Sequence, residues 1–120
     1  MDKNIKGLLK NGVYRVNGSL WIEGAGQRFF GPGPVELLEG IERTGSISKA
    51  AKAMGMSYKK AWEIVNRLNG MAARPFVATS IGGETGGGSS ISVEAKEMIA
   101  WYRGLRERFR EFLERESAYL

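Results

Sequence analysis

The chain contains no cysteine and no histidine among its 120 residues, and only three prolines. The first absence excludes disulfides, thiolate nucleophiles and thiolate metal sites. The second removes the commonest general base, metal ligand and neutral-pH switch. Most enzyme chemistries thereby lose their reacting groups, so neither catalysis nor a cofactor nor a metal is expected. No apolar run is long enough to span a bilayer. The N-terminal stretch Met1 to Lys10 lacks the apolar centre and the small-residue cleavage site of a signal peptide. The expectation is a cytoplasmic protein with no membrane partner. A hydrophobic fraction of 42% is enough for one ordinary core, which makes 1–120 a single domain.

The charge is present and unevenly placed. Of the net +5, residues 46–90 hold six Lys or Arg against two Glu, whereas residues 91–120 balance six against six. A local excess of this kind favours a polyanionic partner and speeds encounter with it, although many basic surfaces serve only solubility.

The positive segment is also the most patterned one. Ile47, Ala50, Ala51 and Met54 fall at i, i+3, i+4 and i+7, and Ala61, Ile64, Val65 and Leu68 repeat that spacing. Each run reads as a short helix with one apolar stripe. Ala51 is small enough for close helix approach, Gly55 supplies the permissive backbone of a sharp turn, and Ser57 is placed to cap the second helix. This is the layout of a helix-turn-helix. Outside it remain Ser57, Tyr58, Lys59, Lys60, Glu63, Asn66 and Arg67, a polar and mostly basic face able to bond base edges or phosphates. Two amphipathic helices joined by a glycine also occur in proteins that bind no nucleic acid, so the flanking segments carry weight.

Residues 13–31 are rich in Val, Tyr, Trp, Ile and Phe and are broken at Asn17-Gly18 and Gly24-Ala25-Gly26. They predict an N-terminal β hairpin of two or three strands, near 13–16, 19–23 and 27–31. Pro34 can open a helix over 34–43, with Val35, Leu37, Leu38 and Ile41 as its buried face. With the helix-turn-helix this gives a three-helix core over 34–69. Pro75 ends it, and two β-prone runs flank a glycine-rich tip at 82–88 to form a hairpin over 76–93. Helices followed directly by such a hairpin have the order of a winged helix. The fold class is therefore α+β, mainly α with small β hairpins.

The last segment, 93–116, carries Met98, Tyr102, Leu105, Phe109 and Phe112 at steps of 4, 3, 4 and 3, with Trp101 besides. That is a heptad seam about two repeats long. It predicts a long C-terminal dimerisation helix that pairs with a second copy; an intrachain core helix would need only part of the stripe.

Other features carry less. The five glycines of 82–88 lack the Gly-Lys-Ser/Thr ending of a nucleotide-binding loop and lie between strands, so a mobile tip that contacts a DNA backbone or minor groove is the better reading. Glu36 with Glu39, and Glu111 with Glu114, read as solvated helix-surface charge. Trp62 beside Lys59 and Lys60 reads as packing more than stacking.

Thr44-Gly-Ser-Ile-Ser-Lys-Ala-Ala51, Met56-Ser-Tyr-Lys-Lys-Ala-Trp62 and the tip Thr85-Gly-Gly-Gly88 together resemble the N-terminal DNA-binding domain of ModE-type molybdate-responsive transcriptional regulators, whose winged helix is related to that of LysR-type regulators. The resemblance runs from Gly45 to about Tyr102 and implies a recognition helix over 57–69, a DNA-touching wing and a long helix that joins two subunits. Such regulators continue into small β-barrel domains that bind molybdate or tungstate. This chain ends at Leu120, so no oxyanion sensor is expected in it, and any effector or partner protein is left unnamed.

The expectation is thus a homodimer that binds a roughly palindromic duplex and regulates transcription. Ser57, Tyr58, Lys59, Lys60 and Glu63 are the candidates for base or adjacent phosphate contact, with Ser46, Lys49, Arg67 and Thr85 as candidates for backbone positioning. The rival is a protein-interaction module of the same fold that docks another chain through helix 93–116.

Overall fold

The computed structural model of the protein describes residues 5–80 and 88–120. A single 3₁₀ turn, Lys6–Leu8, precedes eight regular elements in the described residues: β1 (Ile22–Gly24), β2 (Gln27–Phe30), α1 (Pro32–Thr44), α2 (Ile47–Ala53), α3 (Tyr58–Met71), β3 (Val77–Ser80), β4 (Gly88–Ile91) and α4 (Val93–Ser117). The architecture is α+β, with two separate two-stranded antiparallel sheets, β1-β2 and β3-β4. None of the described helices is long and apolar enough to cross a membrane.

The core is where the sequence stripes meet. Val35, Leu37, Leu38 and Ile41 of α1, Ile47, Ala50 and Ala51 of α2, and Ala61, Ile64, Val65 and Leu68 of α3 are all buried together. Phe30, Phe76 and Tyr102 close this core from β2, the approach to β3 and α4, with Phe30 meeting both other rings edge-on at 6.2 and 5.5 Å between centroids. Edge-to-face pairs at these separations add to what burial alone contributes. No polar or charged residue is buried among the described residues. Helix α1 begins at Pro32, two residues before the expected Pro34, because a proline in the first turn lacks only an N–H that has no intrahelical partner there.

The N-terminal hairpin is shorter than expected. Its turn is Ala25-Gly26, both at positive φ, the pattern of a two-residue hairpin loop. Only 22–24 and 27–30 pair, so the expected strand at 13–16 and most of that at 19–23 are corrected to an extended arm without a β partner. The arm runs back along α4 and uses that helix instead of a strand: the Ile5 N–H donates to the Tyr119 carbonyl (3.1 Å), the Val16 N–H to Ser117 Oγ (2.8 Å), and the Tyr102 hydroxyl to the Leu20 carbonyl (2.8 Å).

Helix α4 is held to α1 by ion pairs, Arg103 with Glu39 and Lys96 with Glu42 (3.2 Å). Its first half lies on the core. Its second half projects, so the molecule measures 66 × 28 × 23 Å with a radius of gyration of 18.9 Å, against roughly 14 Å for a compact chain of this length.

Candidate nucleic-acid interface

The turn between α2 and α3 is built as its sequence requires. Gly55 sits at φ +66°, a left-handed conformation that costs glycine nothing and other residues much. Both helices then open on a serine cap: Ser46 Oγ accepts from the Lys49 N–H, and Ser57 Oγ from the Lys60 N–H, each at 3.0 Å. These caps satisfy amides that the first turn leaves without a carbonyl partner. They also place Lys49 and Lys60 one turn into their helices.

With Ala61, Ile64, Val65 and Leu68 turned inward, α3 presents Tyr58, Lys59, Lys60, Glu63, Asn66 and Arg67 to solvent. Lys49 and Lys52 are exposed on α2. Among the described residues none of these cations forms an ion pair, which leaves Glu63 as the one acidic group among them on the face. Tyr58, 55% exposed, is steadied by an edge contact to Trp62 at 6.1 Å. Trp62 itself is half-buried against the core, as its place on a short helix suggested.

The β3-β4 hairpin is fastened beside this face from two sides. Gly45, at φ +71°, caps α1 through its N–H and turns its carbonyl toward β4, where it accepts from the Ser89 N–H at 2.8 Å. At the other end of α3, Asn69 Oδ1 accepts from the N–H groups of Phe76 and Val77 (2.9 and 3.0 Å), while its Nδ2 donates to the Val77 carbonyl (3.0 Å). One amide side chain therefore satisfies three backbone groups at the root of the hairpin and fixes its angle to α3. Between the α2 N-terminus, α3 and the hairpin lies a groove of about 320 Å³ with Ser46, Ser48, Tyr58, Thr79, Ser80 and Ser89 on its walls. Its walls offer hydroxyl groups and carry no charged side chain, a chemistry that suits phosphate and sugar oxygens.

Of the expected contact residues, Ser46 and Tyr58 share the walls of this groove, and Lys49, Ser57, Lys59, Lys60, Glu63 and Arg67 are exposed on α2, α3 and the turn between them. Thr85 lies outside the described residues. The seam residues divide. Met98 and Leu105 are half-buried against their own core, Phe109 is half-buried and stacks on Phe112 at 6.3 Å, and Phe112 is exposed. Tyr102 is corrected from a partner-facing to a core residue: its ring is fully buried under Phe30 and its hydroxyl is taken by Leu20. Burial raises its phenol above the ordinary value, partly offset by the neighbouring Arg106. Trp101, 55% exposed, stands on the outer face in its stead. Asn69 escapes sequence reasoning altogether, since a polar residue near a helix end reads as surface until its partners are known.

No family model matches the chain. Over 86 residues it is 40% identical to the molybdenum transport protein ModE of Azotobacter vinelandii, a match that covers 72% of this chain and 32% of that one. The chain is a relative of the ModE-type regulators. It is likewise 37% identical over 83 residues to the transcriptional regulator ModE of Haemophilus influenzae (69% of this chain, 32% of that one). With the DNA-binding transcriptional dual regulator ModE of Escherichia coli it shares 36% identity over 74 residues (62% and 28%). The chain spans about a third of the length of the ModE proteins it matches.

Proposed function

We propose that this chain binds double-stranded DNA sequence-specifically and regulates transcription as a homodimer, with α3 in the major groove and the β3-β4 hairpin on the adjacent backbone or minor groove. The observation that carries the reading is the exposed face of α3, where Tyr58, Lys59, Lys60 and Arg67 stand opposite a fully buried stripe and beside an anchored hairpin. A helix of this make-up fits the major groove, and its lysines neutralise phosphates. Relatives whose names describe transcriptional regulation and DNA binding support the same reading. It assigns the protein no catalytic role, in keeping with a chain that has neither His nor Cys. Ser57, Tyr58, Lys59, Lys60 and Glu63 take base or neighbouring phosphate contacts; Ser46, Lys49, Arg67 and Thr85 position the backbone.

The test is a salt titration of duplex binding. Replacing Lys59 and Lys60 by Ala removes charge without touching the buried stripe, so the folded double variant should bind more weakly. The slope of log affinity against log salt should flatten by about one unit for each phosphate that is no longer neutralised. Unchanged affinity and slope would refute the assignment.

A second reading draws on Trp101 and Phe112, both exposed on α4: the same fold serving as a docking module for another protein. Such a module would show no salt-dependent duplex binding.

A further inference from the structure

The exposed face of α3 has an outermost line. With Ala61, Ile64, Val65 and Leu68 turned inward, the positions opposite them are Lys59, Glu63, Asn66 and Gly70, at steps of 4, 3 and 4, and all four are exposed. At 3.6 residues per turn they fall within about 60° of arc. Lys60 and Arg67 flank this line on one side. Tyr58 and Trp62 flank it on the other, where both reach the groove beside the hairpin. A major groove about 12 Å wide admits a helix about 10–12 Å across with its outermost line on the base edges and its flanks on the phosphate walls. Sequence is then read by the line, and affinity comes from the flanks.

Three residues of the line are ill suited to a surface that only has to attract a polyanion. Glu63 sets a carboxylate where phosphates are to be met. Lys59 and Lys60 precede it at i−4 and i−3 and Arg67 follows at i+4, spacings at which helical ion pairs form, yet among the described residues Glu63 forms none. A free carboxylate there opposes binding unless it meets a donor, and the donors on the groove floor are the exocyclic amino groups of cytosine and adenine. Asn66 has no hydrogen-bond partner among the described residues, whereas Asn69 makes three bonds at the root of the hairpin. Its free amide holds one donor and one acceptor side by side, the arrangement that matches N6 and N7 of adenine. Gly70 is not at positive φ, and a Cβ there would meet nothing within 4 Å. Neither a turn nor packing within the chain therefore requires a glycine at a position where it weakens the helix. Bare backbone at that point lets the end of α3 come close to the groove floor.

Resting on the DNA-binding reading above, we infer that Glu63 and Asn66 are the specificity-determining pair of the reading helix. Glu63 accepts a hydrogen bond from N4 of a cytosine, and Asn66 bonds N6 and N7 of an adenine. The two residues lie about 4.5 Å apart along the helix, against about 3.4 Å between base pairs. They therefore address adjacent pairs, and the recognised site holds a C·G pair next to an A·T pair.

Selection of duplexes from a randomised library by the full chain reads both assignments at once. The wild type should enrich sites that contain this step. Glu63→Gln supplies an amide suited to adenine, so the preference at one base pair should turn from C·G to A·T, by about ten- to a hundredfold in relative affinity. Binding of the same variant to random duplex should rise a few-fold, because one negative charge has left the face. Asn66→Ala should lose the adenine preference at the adjacent pair by a similar factor and keep the C·G preference. Lys60→Ala, on the flank, should weaken binding to every duplex alike. Thermal melts of the Glu63 and Asn66 variants should match the wild type, which separates lost recognition from lost fold. Unchanged preferences in either variant, or changes at base pairs other than these two, overturn the inference while the DNA-binding reading stands. A wild-type chain that binds no duplex, or enriches no sequence, overturns both.

Discussion

Helices α3 and α4 are both amphipathic, yet they resolve that property in opposite ways. Every member of the α3 stripe, from Ala61 to Leu68, is buried inside its own domain, and the polar face is left free and cationic. On α4 Lys96 and Arg103 form ion pairs with α1, Arg110 pairs with Glu107 and Glu114 within the helix, and apolar surface at Trp101 and Phe112 remains free. A helix whose apolar stripe matches the width of the core leaves only its charge to meet a partner, and the partner is then charged. A helix whose stripe is wider than the core leaves carbon, which is covered at lowest free energy by more carbon.

The sharpest way to break that contrast is to truncate one apolar residue on each helix. Leu68→Ala empties a fully buried site on α3 and should lower unfolding stability by about 2–5 kcal/mol. Phe112→Ala, on the outer face of α4, should change the unfolding of the isolated subunit by less than about 1 kcal/mol. Denaturant titration at concentrations low enough to dissociate any dimer separates the two; equal losses would mean that α4 belongs to the core along its whole length.

Next in size is Asn69→Ala. It leaves the Phe76 and Val77 N–H groups without their acceptor in a half-buried setting, a cost of about 1–3 kcal/mol. It should also loosen the hairpin and weaken duplex binding although Asn69 itself lies off the reading face. Full affinity in this variant would show that the hairpin does not contribute.

The smallest effect is Tyr102→Phe, which keeps the buried ring and deletes its bond to the Leu20 carbonyl, at about 1 kcal/mol. It carries a pH signature. Because burial raises the Tyr102 phenol above its ordinary value of 10.0, the folded chain keeps that proton longer than the unfolded one. The associated stability is whole below that value and is lost as pH climbs through the raised one. Alkaline unfolding curves of the wild type should therefore fall more steeply than those of Tyr102→Phe; superimposable curves would contradict this.

The same two helices show what the sequence could reveal. The α3 stripe has a single phase, so its buried and exposed sides, the Gly55 turn and the Ser57 cap were all legible. The spacing of α4 fits two seams one residue apart, through Tyr102 or through Trp101. Which of them faces inward is decided by Phe30 and Leu20, far away in the chain. Residues 13–21 misled for a related reason. Their strand-like composition packs along a helix, and Val16 and Leu20 find their hydrogen bonds on Ser117 and Tyr102 instead of on a neighbouring strand. Asn69 and the Glu39 to Arg103 ion pair were invisible because polar residues on helices reveal a structural task only once their partners are in place.

The most direct test of the central claim maps the backbone amides of the labelled protein by NMR while a duplex selected from a random library is added. The account predicts the largest shifts at Ser46 to Lys49 and Ser57 to Arg67, with smaller ones along Val77–Ser80 and Gly88–Ile91, and little change from Leu105 to Ser117. Shifts concentrated on Trp101 to Phe112, with the α3 face silent, would contradict it.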